Sequence, residues 1–442
     1  MGHYSSAKDS DSKLENIAII GNGGRENSLA WIIKSNEKVK NIYLFPGNGG
    51  SEEIEKCFNV DLDYLDKEKL IRKLDELDIN LVVIGPETPL AYGLADDLRK
   101  KNFLVFGPSQ SGAKLESSKS WAKEFMKEGN IPTASFWKVS TLEEARKVIY
   151  SNSVELVVKA DGLASGKGVI IPESKDETFH AAKDCLEGKF GEAGRIVVLE
   201  EKIEGPEISI FAMCDGKRYV LLPIAQDHKR LEENDQGLNT GGMGAYAPTP
   251  IITQEELQNI CNEIIQPTIN ELNKRNIDYR GVIYFGLMIT ENGPKVIEYN
   301  CRFGDPECQT IMPLMNKDFI HLIHNCAMGK LKGNENLHND GMVSGCVIAT
   351  SRGYPLAYET GKKINFDQIN YENYQIFHSG TSKDKSGEIL TNGGRVLSIV
   401  CQDYSYDAVF EKAYKILQKI NFDGIFYRKD IGYQVRESHK NK

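Results

Sequence analysis

Residues 156–172 read LVVKADGLASGKGVIIP. Two apolar, β-branched runs flank a tip carrying Gly162, Gly166 and Gly168. A phosphate-binding P-loop needs one more residue between its glycines, a Ser or Thr where Gly168 stands, and a helix afterwards. Here a strand follows, so the segment is a strand–tip–strand hairpin rather than the turn of a strand–helix unit. A mobile Gly-rich tip of this kind can close over phosphates and exclude water. Lys159 ends the first strand two residues from Val157, on the same face, where it can meet a phosphate oxygen.

Upstream the pattern differs. NIAII (16–20) ends in Gly21-Asn22-Gly23-Gly24, NIYLF (41–45) in Pro46-Gly47-Asn48-Gly49-Gly50, and LVVIGPETPL (81–90) and LVFGPS (104–109) follow, with helical stretches between. Strands that alternate with helices and end in Gly or Pro form a parallel α/β domain whose ligands sit at the strands' carboxyl ends. GNGGRE (21–26) matches a dinucleotide fingerprint only at its first two glycines. Glu26 replaces the third, and NIYLF lacks the acid that grips a ribose, so NAD is excluded. What remains is a glycine turn exposing backbone N–H groups at a helix N-terminus, a seat for a phosphate monoester, with Arg25 adding charge.

Downstream of residue 119, a helix (Ser120–Glu128) with Trp121, Phe125 and Met126 on its core side leads into TASFWKV (133–139), IVVLEE (196–201), EISIFAMC (207–214) and YVLLPIA (219–225). Hairpin signals rather than helices separate several of these strands. A helix pattern covers 253–274. GVIYFGLMIT (281–290), a turn at Glu291–Pro294 and KVIEYN (295–300) read as an antiparallel hairpin. Strands at 342–350, 374–379 and 394–401 and a helix near 405–420 close the chain as an α+β region. The expected domains are a disordered tail (1–14), a parallel α/β domain (15–118), a central domain (119–336) with a flap subdomain at about 133–200, and a C-terminal α+β domain (337–437).

Alternation in KVIEYN puts Val296, Glu298 and Asn300 on one face and Ile297 and Tyr299 on the other. A carboxylate and an amide oxygen on one side suit Mg²⁺, which keeps waters and substrate phosphates for its other positions. Arg302, Gly304, Asp305 and Glu307 follow in CRFGDPE, more charge than a strand end needs. QDHKR (226–230) and NTGGMGAY (239–246) crowd acid, base and small residues together, with glycine backbones able to approach a ligand.

The rest of the chain sets limits. A net charge of −9 gives no general basic footprint for nucleic acid or an anionic membrane. No apolar run approaches the ~18 residues of a transmembrane helix, and the N-terminus has no apolar signal core. The 9 cysteines include no CxxC pair, pointing to a reducing, cytoplasmic setting with neither disulfides nor zinc. Met1-Gly2 with Ser6 fits a loose myristoylation pattern, but without a polybasic second signal a polar tail is the stronger reading. His321 and His324 in FIHLIHNCAM have no acidic neighbour and belong to a packed helix.

Taken in order, GNGGREN (21–27), PGNGG (46–50), VVIGPETPL (82–90), FGPS (106–109), VVKADGLASGKGV (157–169), EEKIEGPEIS (200–209), QDHKR, NTGGMGAYAP (239–248), IEYNCRFGDPE (297–307), GGRVL (393–397) and YRKDIG (427–432) resemble the phosphoribosylamine–glycine ligase family of the ATP-grasp superfamily. The match spans about residues 16–436. It implies a multidomain fold: a parallel α/β domain, an ATP-grasp domain with a Gly-rich flap, and an α+β C-terminal domain. It also implies ATP-dependent ligation of glycine to 5-phosphoribosylamine through glycyl phosphate, using Mg²⁺ or Mn²⁺.

The resemblance further implies that Gly23, Gly24, Arg25, Glu26 and Asn27, with Asn48, Gly85 and Glu87, bind the sugar phosphate. Lys119 and Lys159 would hold ATP phosphates under a flap that includes Gly166 and Lys167. Glu200, Lys202 and Ile203 resemble the adenine hinge, Glu207 the ribose acid, and Glu298 and Asn300 the metal ligands. Asp227, Lys229, Asn239, Thr240, Gly241, Gly242 and Met243 line the substrate side. Arg302 would stabilise the acyl phosphate and Asp305 the ammonium of glycine, the two acting with Lys159 in catalysis. Two departures stand out. The superfamily often carries another acid on the strand before Glu298, where GLMI (286–289) has none, and the family usually has His where Asn27 stands. The competing reading is another ATP-grasp carboxylate–amine ligase or a carboxylase, which would not share NTGGMGAY and CRFGDPE. A nucleotide-binding regulator would tolerate loss of Glu298, Asn300 or Arg302, and all are present. The resemblance is compatible with a monomer or weak dimer and with membership of a longer fused purine enzyme.

Overall fold

The computed structural model describes residues 14–164, 167–335 and 341–436. The myristoylation pattern, most of the expected tail, Gly166 and the start of the expected C-terminal domain lie outside the described residues. Leu14, placed in the tail by its sequence, is instead 6% exposed and packs against Ile17 and its neighbours in the core.

The first sheet contains β1 (Asn16–Gly21), β2 (Asn41–Pro46), β3 (Cys57–Asn59), β4 (Leu81–Ile84) and β5 (Val105–Phe106), all parallel, in the order β3-β2-β1-β4-β5. Ile17, Ala18, Ile19 and Ile20 of β1 are all fully buried, because helices cover both faces of such a sheet. The strand order reverses at β1, between β2 and β4. The loops after β1 and β4 therefore open a crevice at the sheet's carboxyl edge, and helix α1 (Gly24–Ile33) starts at its rim.

The second sheet holds β6 (Phe136–Val139), β7 (Leu156–Ala160), β8 (Val169–Ile170) and β9 (Val197–Glu201) in the order β6-β9-β7-β8, with antiparallel pairings throughout. The β7–β8 hairpin is the strand–tip–strand unit read from 156–172. Two connections that carry no hairpin signal are helices, Leu142–Ser151 and Lys175–Asp184. Their Ala145, Ile149, Ala181 and Ala182 cover one face of the sheet. Lys159 and Glu200 lie on the other face.

Next come β10 (Glu207–Cys214), β11 (Tyr219–Leu221), β12 (Gln226–Asp227), β13 (Arg230–Glu232), β14 (Gln236–Asn239), β15 (Gly244–Ala247), β16 (Gly281–Thr290), β17 (Gly293–Asn300) and β18 (Val343–Thr350). A third sheet runs β11-β10-β16-β17, and β13 and β14 make a separate hairpin. The fourth sheet joins β12 and β15 to β18, Arg395–Asp403 and Tyr374–His378. QDHKR and NTGGMGAY thus lend strands to the C-terminal sheet, a pairing the sequence alone did not suggest. The helix Tyr406–Leu417 packs on that sheet through Val409, Phe410 and Ala413.

The β16–β17 hairpin is antiparallel as read, but its register shifts. Gly286 faces Glu298 whereas Leu287 faces Val296, so Ile297 is an extra, bulged residue. Strict alternation therefore fails. Val296 (0% exposed) and Tyr299 (3%) both enter the core, where Tyr299 packs edge-on against Phe125 and Phe285. Glu298 and Asn300 share the opposite face without Val296.

Phe125 and Met126 are buried, and Trp121 stacks on Phe125 at 5.3 Å. His321 lies in the helix Phe319–Met328, its Nε2 3.3 Å from Asn36 Nδ2. Among the described residues, no group of three or more His, Cys, Asp or Glu side chains is arranged to hold a metal, and no helix is long and apolar enough to cross a membrane. All nine cysteines are free and buried.

Candidate active site

At the crevice of the first sheet, the chain fills its own helix N-terminus. Glu26 Oε2 accepts the Gly23 N–H at 2.7 Å, and Arg25 Nε pairs with Glu26 Oε1 at 2.7 Å while its Nη1 donates to Phe303 O at 3.0 Å. A side chain at Gly85 would collide with Glu26. Arg25 is 7% exposed and so presents little free charge. Asn27 and Asn48 both bond across to His378, and Asn27 Nδ2 is buried without a partner. Asn27 Oδ1 accepts the His378 N–H at 3.1 Å, and Asn48 Nδ2 donates to His378 O at 2.7 Å and Asn22 O at 3.0 Å. Asn48 Oδ1 also receives the Gly50 N–H at 3.0 Å. Both side chains hold the seam between the first sheet and the C-terminal sheet.

Beyond the crevice, Arg302 is fixed by two acids: Nη2 lies 2.7 Å from Glu116 Oε1 and Nε lies 3.3 Å from Glu87 Oε2. Glu116, on the helix Gln110–Ser117, also accepts the Cys301 N–H at 2.9 Å. In the amide orientation that satisfies its hydrogen bonds, Asn300 donates Nδ2 to Glu116 Oε1 at 3.0 Å and to Tyr299 O at 3.1 Å. Its side-chain oxygen takes no part in those two bonds. Burial pushes the Glu116 carboxyl up despite Arg302. Burial also pushes Glu87 up, but Arg302 and Arg25 outweigh it and hold Glu87 below its ordinary value.

Glu298 is the centre of the site. Burial alone would raise its pKa, yet Lys229, Lys159, Lys119 and Arg302 together lower it. Lys119 begins the helix Lys119–Glu128 and donates to Gly162 O in the flap at 3.2 Å. Burial lowers its pKa, with Glu298 pulling the other way. Lys159 donates to Ile297 O, the bulged residue, at 3.0 Å and pairs with Glu200 Oε2 at 2.8 Å. Glu200 Oε1 pairs with a second lysine, Lys123, at 2.8 Å. Lys229 lies between Glu207, with which it makes a close ion pair, and Glu298 Oε1 at 3.5 Å. Burial would lower Lys229, but Glu207 and its neighbours raise it well above the ordinary value.

On the substrate side, burial and the nearby Glu307 raise Asp227 well above the ordinary carboxylate range. Burial raises Glu307 as well, and its Oε1 accepts from Ser209 Oγ at 3.1 Å. Asp227 Oδ1 is buried without a hydrogen-bond partner. Asp305 differs. Gln309 Nε2 donates to its Oδ1 at 2.7 Å and Arg395 Nη2 lies 3.2 Å from the same oxygen. Burial is outweighed by Arg395 and Arg25, so Asp305 stays low. Arg395 also donates to the Gly241 carbonyl. Thr240 N donates to Lys229 O at 2.8 Å, tying the NTGGMG loop to QDHKR. Asn239 pairs with Arg230 in the β13–β14 hairpin, and Gly242 passes Asp227 so closely that a Cβ there would meet its Oδ1 at 2.7 Å. Met243 is fully buried in the C-terminal core. Lys202 pairs with Glu155 at 2.6 Å beside half-buried Ile203, and Lys167 is exposed on the flap.

Family models of phosphoribosylglycinamide synthetase match three segments: the N domain at residues 15–116, the ATP-grasp (A) domain at 117–308 and the C domain at 344–434. The chain belongs to the phosphoribosylglycinamide synthetase family. It is 42% identical to a phosphoribosylamine–glycine ligase of Nostoc sp. over 95% of its own length and 99% of the relative's. It is 41% identical to a trifunctional purine biosynthetic protein of Chironomus tentans, covering 96% of this chain and 31% of that one. A crystal structure of the Thermotoga maritima phosphoribosylamine–glycine ligase superposes with a TM-score of 0.82 at 33% identity, covering 94% of this chain and 99% of that chain.

Within this synthetase fold, sequence reasoning missed Glu116, Lys123 and Arg395, and gave Glu307 no role. Glu116 and Lys123 read as solvated helix charges; only their burial (9% and 3% exposed) marks them. Arg395 could have been suspected, since GGRVL carries it within a quoted motif.

Proposed function

We infer that this chain ligates glycine to 5-phosphoribosylamine with ATP, yielding glycinamide ribonucleotide, ADP and phosphate. The observation that carries the chemistry is Glu298, a carboxylate beside Asn300 that faces Lys119, Lys159, Lys229 and Arg302. A carboxylate amid that many cations needs a polyanion to complete the charge balance, and a nucleotide triphosphate with a divalent cation supplies one. Glu298 and the Asn300 oxygen are hard oxygen donors that fit Mg²⁺ or Mn²⁺, a cation that takes few protein ligands. When bound there, the cation would offset charge on the transferring phosphoryl group.

Lys119 and Lys159 then grip the triphosphate under the β7–β8 tip, with Glu200 to Ile203 at the adenine edge and Glu207 at the ribose. The γ-phosphoryl bond to ADP breaks as a glycine carboxylate oxygen bonds to phosphorus. The phosphoribosylamine nitrogen next bonds to the acyl carbon, the carbon–oxygen bond to phosphate breaks, and the amine loses a proton. Both steps depend on positioning and charge stabilisation. Arg302, clamped by Glu116 and Glu87, is held ready for the acyl oxyanion. Asp227 Oδ1, buried without a partner, can accept from the glycine ammonium, whose charge would hold that carboxyl ionised against the burial that raises it, whereas Gln309 and Arg395 already engage Asp305 Oδ1. The N–H groups of the Gly23–Gly24 turn, with Arg25 and Glu87, serve the sugar phosphate once Glu26 yields its place. Nine buried free thiols suit the cytoplasm.

The test is ADP release by purified protein. Release should require glycine and freshly generated phosphoribosylamine together. Release supported by bicarbonate, or by another acid without either compound, would replace this reading with that of another ATP-grasp ligase or carboxylase.

A further inference from the structure

Glu200 needs one cation to be neutralised and has two. Lys159 takes Oε2 and Lys123 takes Oε1, each at 2.8 Å, and both lysines are largely buried, Lys123 at 3% exposure. A buried triad with one surplus positive charge is costly to desolvate. Burial accordingly holds the Lys123 ammonium down to a pKa of about 8 against the pull of Glu200. A fold that needed only a neutral plug between β9 and the helix Lys119–Glu128 would be at least as stable with Met at position 123.

The geometry around Lys123 shows what the surplus lysine reaches. Its Nζ donates to Thr133 Oγ1 at 2.7 Å, and that hydroxyl donates to Val296 O at 2.7 Å. Val296 N in turn donates to Pro132 O at 2.9 Å, so the segment 132–133 runs beside β17 as a short parallel bridge. Lys159, from the other carboxylate oxygen, donates to Ile297 O. The two lysines of Glu200 therefore lead to consecutive carbonyls, Lys123 through Thr133 to Val296 and Lys159 directly to Ile297, at the bulge that precedes Glu298.

We propose that Lys123 is a positioning residue that, through Thr133, fixes the β17 bulge and thereby aims Glu298 at the cation carried with ATP. The chain Lys123 to Thr133 to Val296 polarises in one direction, donor to acceptor, and so holds the bulge more firmly than isolated bonds would. It ties the hinge that faces the nucleotide base to the strand that faces its phosphates, so disorder at one end is felt at the other.

The proposal rests on the reading of the site as an ATP and metal site, and its test separates the two. Wild-type protein is first assayed for ADP release and, by calorimetry, for binding of the magnesium complex of ATP; failure of both removes the underlying reading before any variant is made. Lys123→Met and Thr133→Val are then compared with Thr133→Ser, which keeps the hydroxyl. Lys123→Met leaves the neutral Glu200–Lys159 pair, and Thr133→Val leaves all three charges. Both should raise the Mg²⁺ concentration for half-maximal activity and KM for ATP about tenfold, the effect typical of losing a support behind a metal ligand. KM for glycine should stay within about twofold. Thr133→Ser should behave as wild type. Folded Thr133→Val protein with wild-type Mg²⁺ and ATP dependence overturns the proposal, as does an equal rise in KM for glycine. Should Lys123→Met fail to fold, the Thr133 pair decides alone.

Discussion

Glu298 shows how far a single side chain's setting determines its chemistry. Burial should make it reluctant to ionise, but Lys229, Lys159, Lys119 and Arg302 more than compensate, and its pKa lies below the ordinary value. A depressed carboxyl stabilises the fold above the pKa of the unfolded chain, about 4.3, and loses that contribution as pH falls through the folded value. At neutral pH the group is therefore ionised and ready for a cation. Its side chain is 36% exposed, so solvent screens these attractions and its share of stability is small. Glu298→Ala should thus leave circular dichroism and the thermal midpoint nearly unchanged, while ADP release falls about a thousandfold, the loss of several kcal/mol of transition-state stabilisation. Near-normal turnover in that variant would remove Glu298 from the metal site.

The elements were legible where periodicity and turn chemistry agree. Alternating strands and helices with Gly or Pro at each strand end gave the parallel first sheet, and Asn292-Gly293 gave the β16–β17 hairpin. Alternation in KVIEYN put Glu298 and Asn300 on one face but wrongly added Val296, because a bulge shifts register without any mark in residue types. Glu116 and Lys123 were hidden for a related reason: on short helices a charge that turns inward looks like one that turns out, and only tertiary packing decides. Asn27 and Asn48 carry a second task that residue types do not show, since a polar residue in a Gly-rich loop can also bond across a domain seam. The bulge also explains the missing acid on the preceding strand. Gly286 stands opposite Glu298, and a Cβ there would lie 2.9 Å from Glu298 Cγ. A side chain at that position would force Glu298 to shift. Gly286→Ala should displace Glu298 and raise the Mg²⁺ requirement about tenfold, with KM for glycine unchanged; a titration of activity against Mg²⁺ reads it directly.

At the scale of the whole molecule, the site depends on a sheet that lies far along the chain. β12, which ends in Asp227, pairs with β15, and β15 pairs with β18, so Asp227 and the loops bearing Lys229 and Gly241 are anchored in the C-terminal sheet rather than the ATP-grasp sheet. His228, between Asp227 and Lys229, accepts the Gly432 N–H at 3.1 Å. Burial and the neighbouring Arg428 hold its imidazole near a pKa of about 4, so it stays neutral as a structural acceptor. Arg395 is the second anchor. From the strand Arg395–Asp403 it reaches both the Gly241 carbonyl and Asp305, closing the loops that follow β14 and β17 onto one another. None of its contacts involves Lys119, Lys159 or Glu200. Its loss should therefore separate the two halves of the reaction. In Arg395→Ala, KM for glycine or phosphoribosylamine should rise about tenfold or more, as expected when a buried charged partner is removed, while the affinity for magnesium-bound ATP stays near wild type. Arg395→Lys keeps the charge but cannot span two partners with one planar fork, so it should recover only part of the loss. If the alanine variant instead weakens ATP binding as much as substrate binding, the C-terminal sheet supports the whole cleft rather than its substrate side.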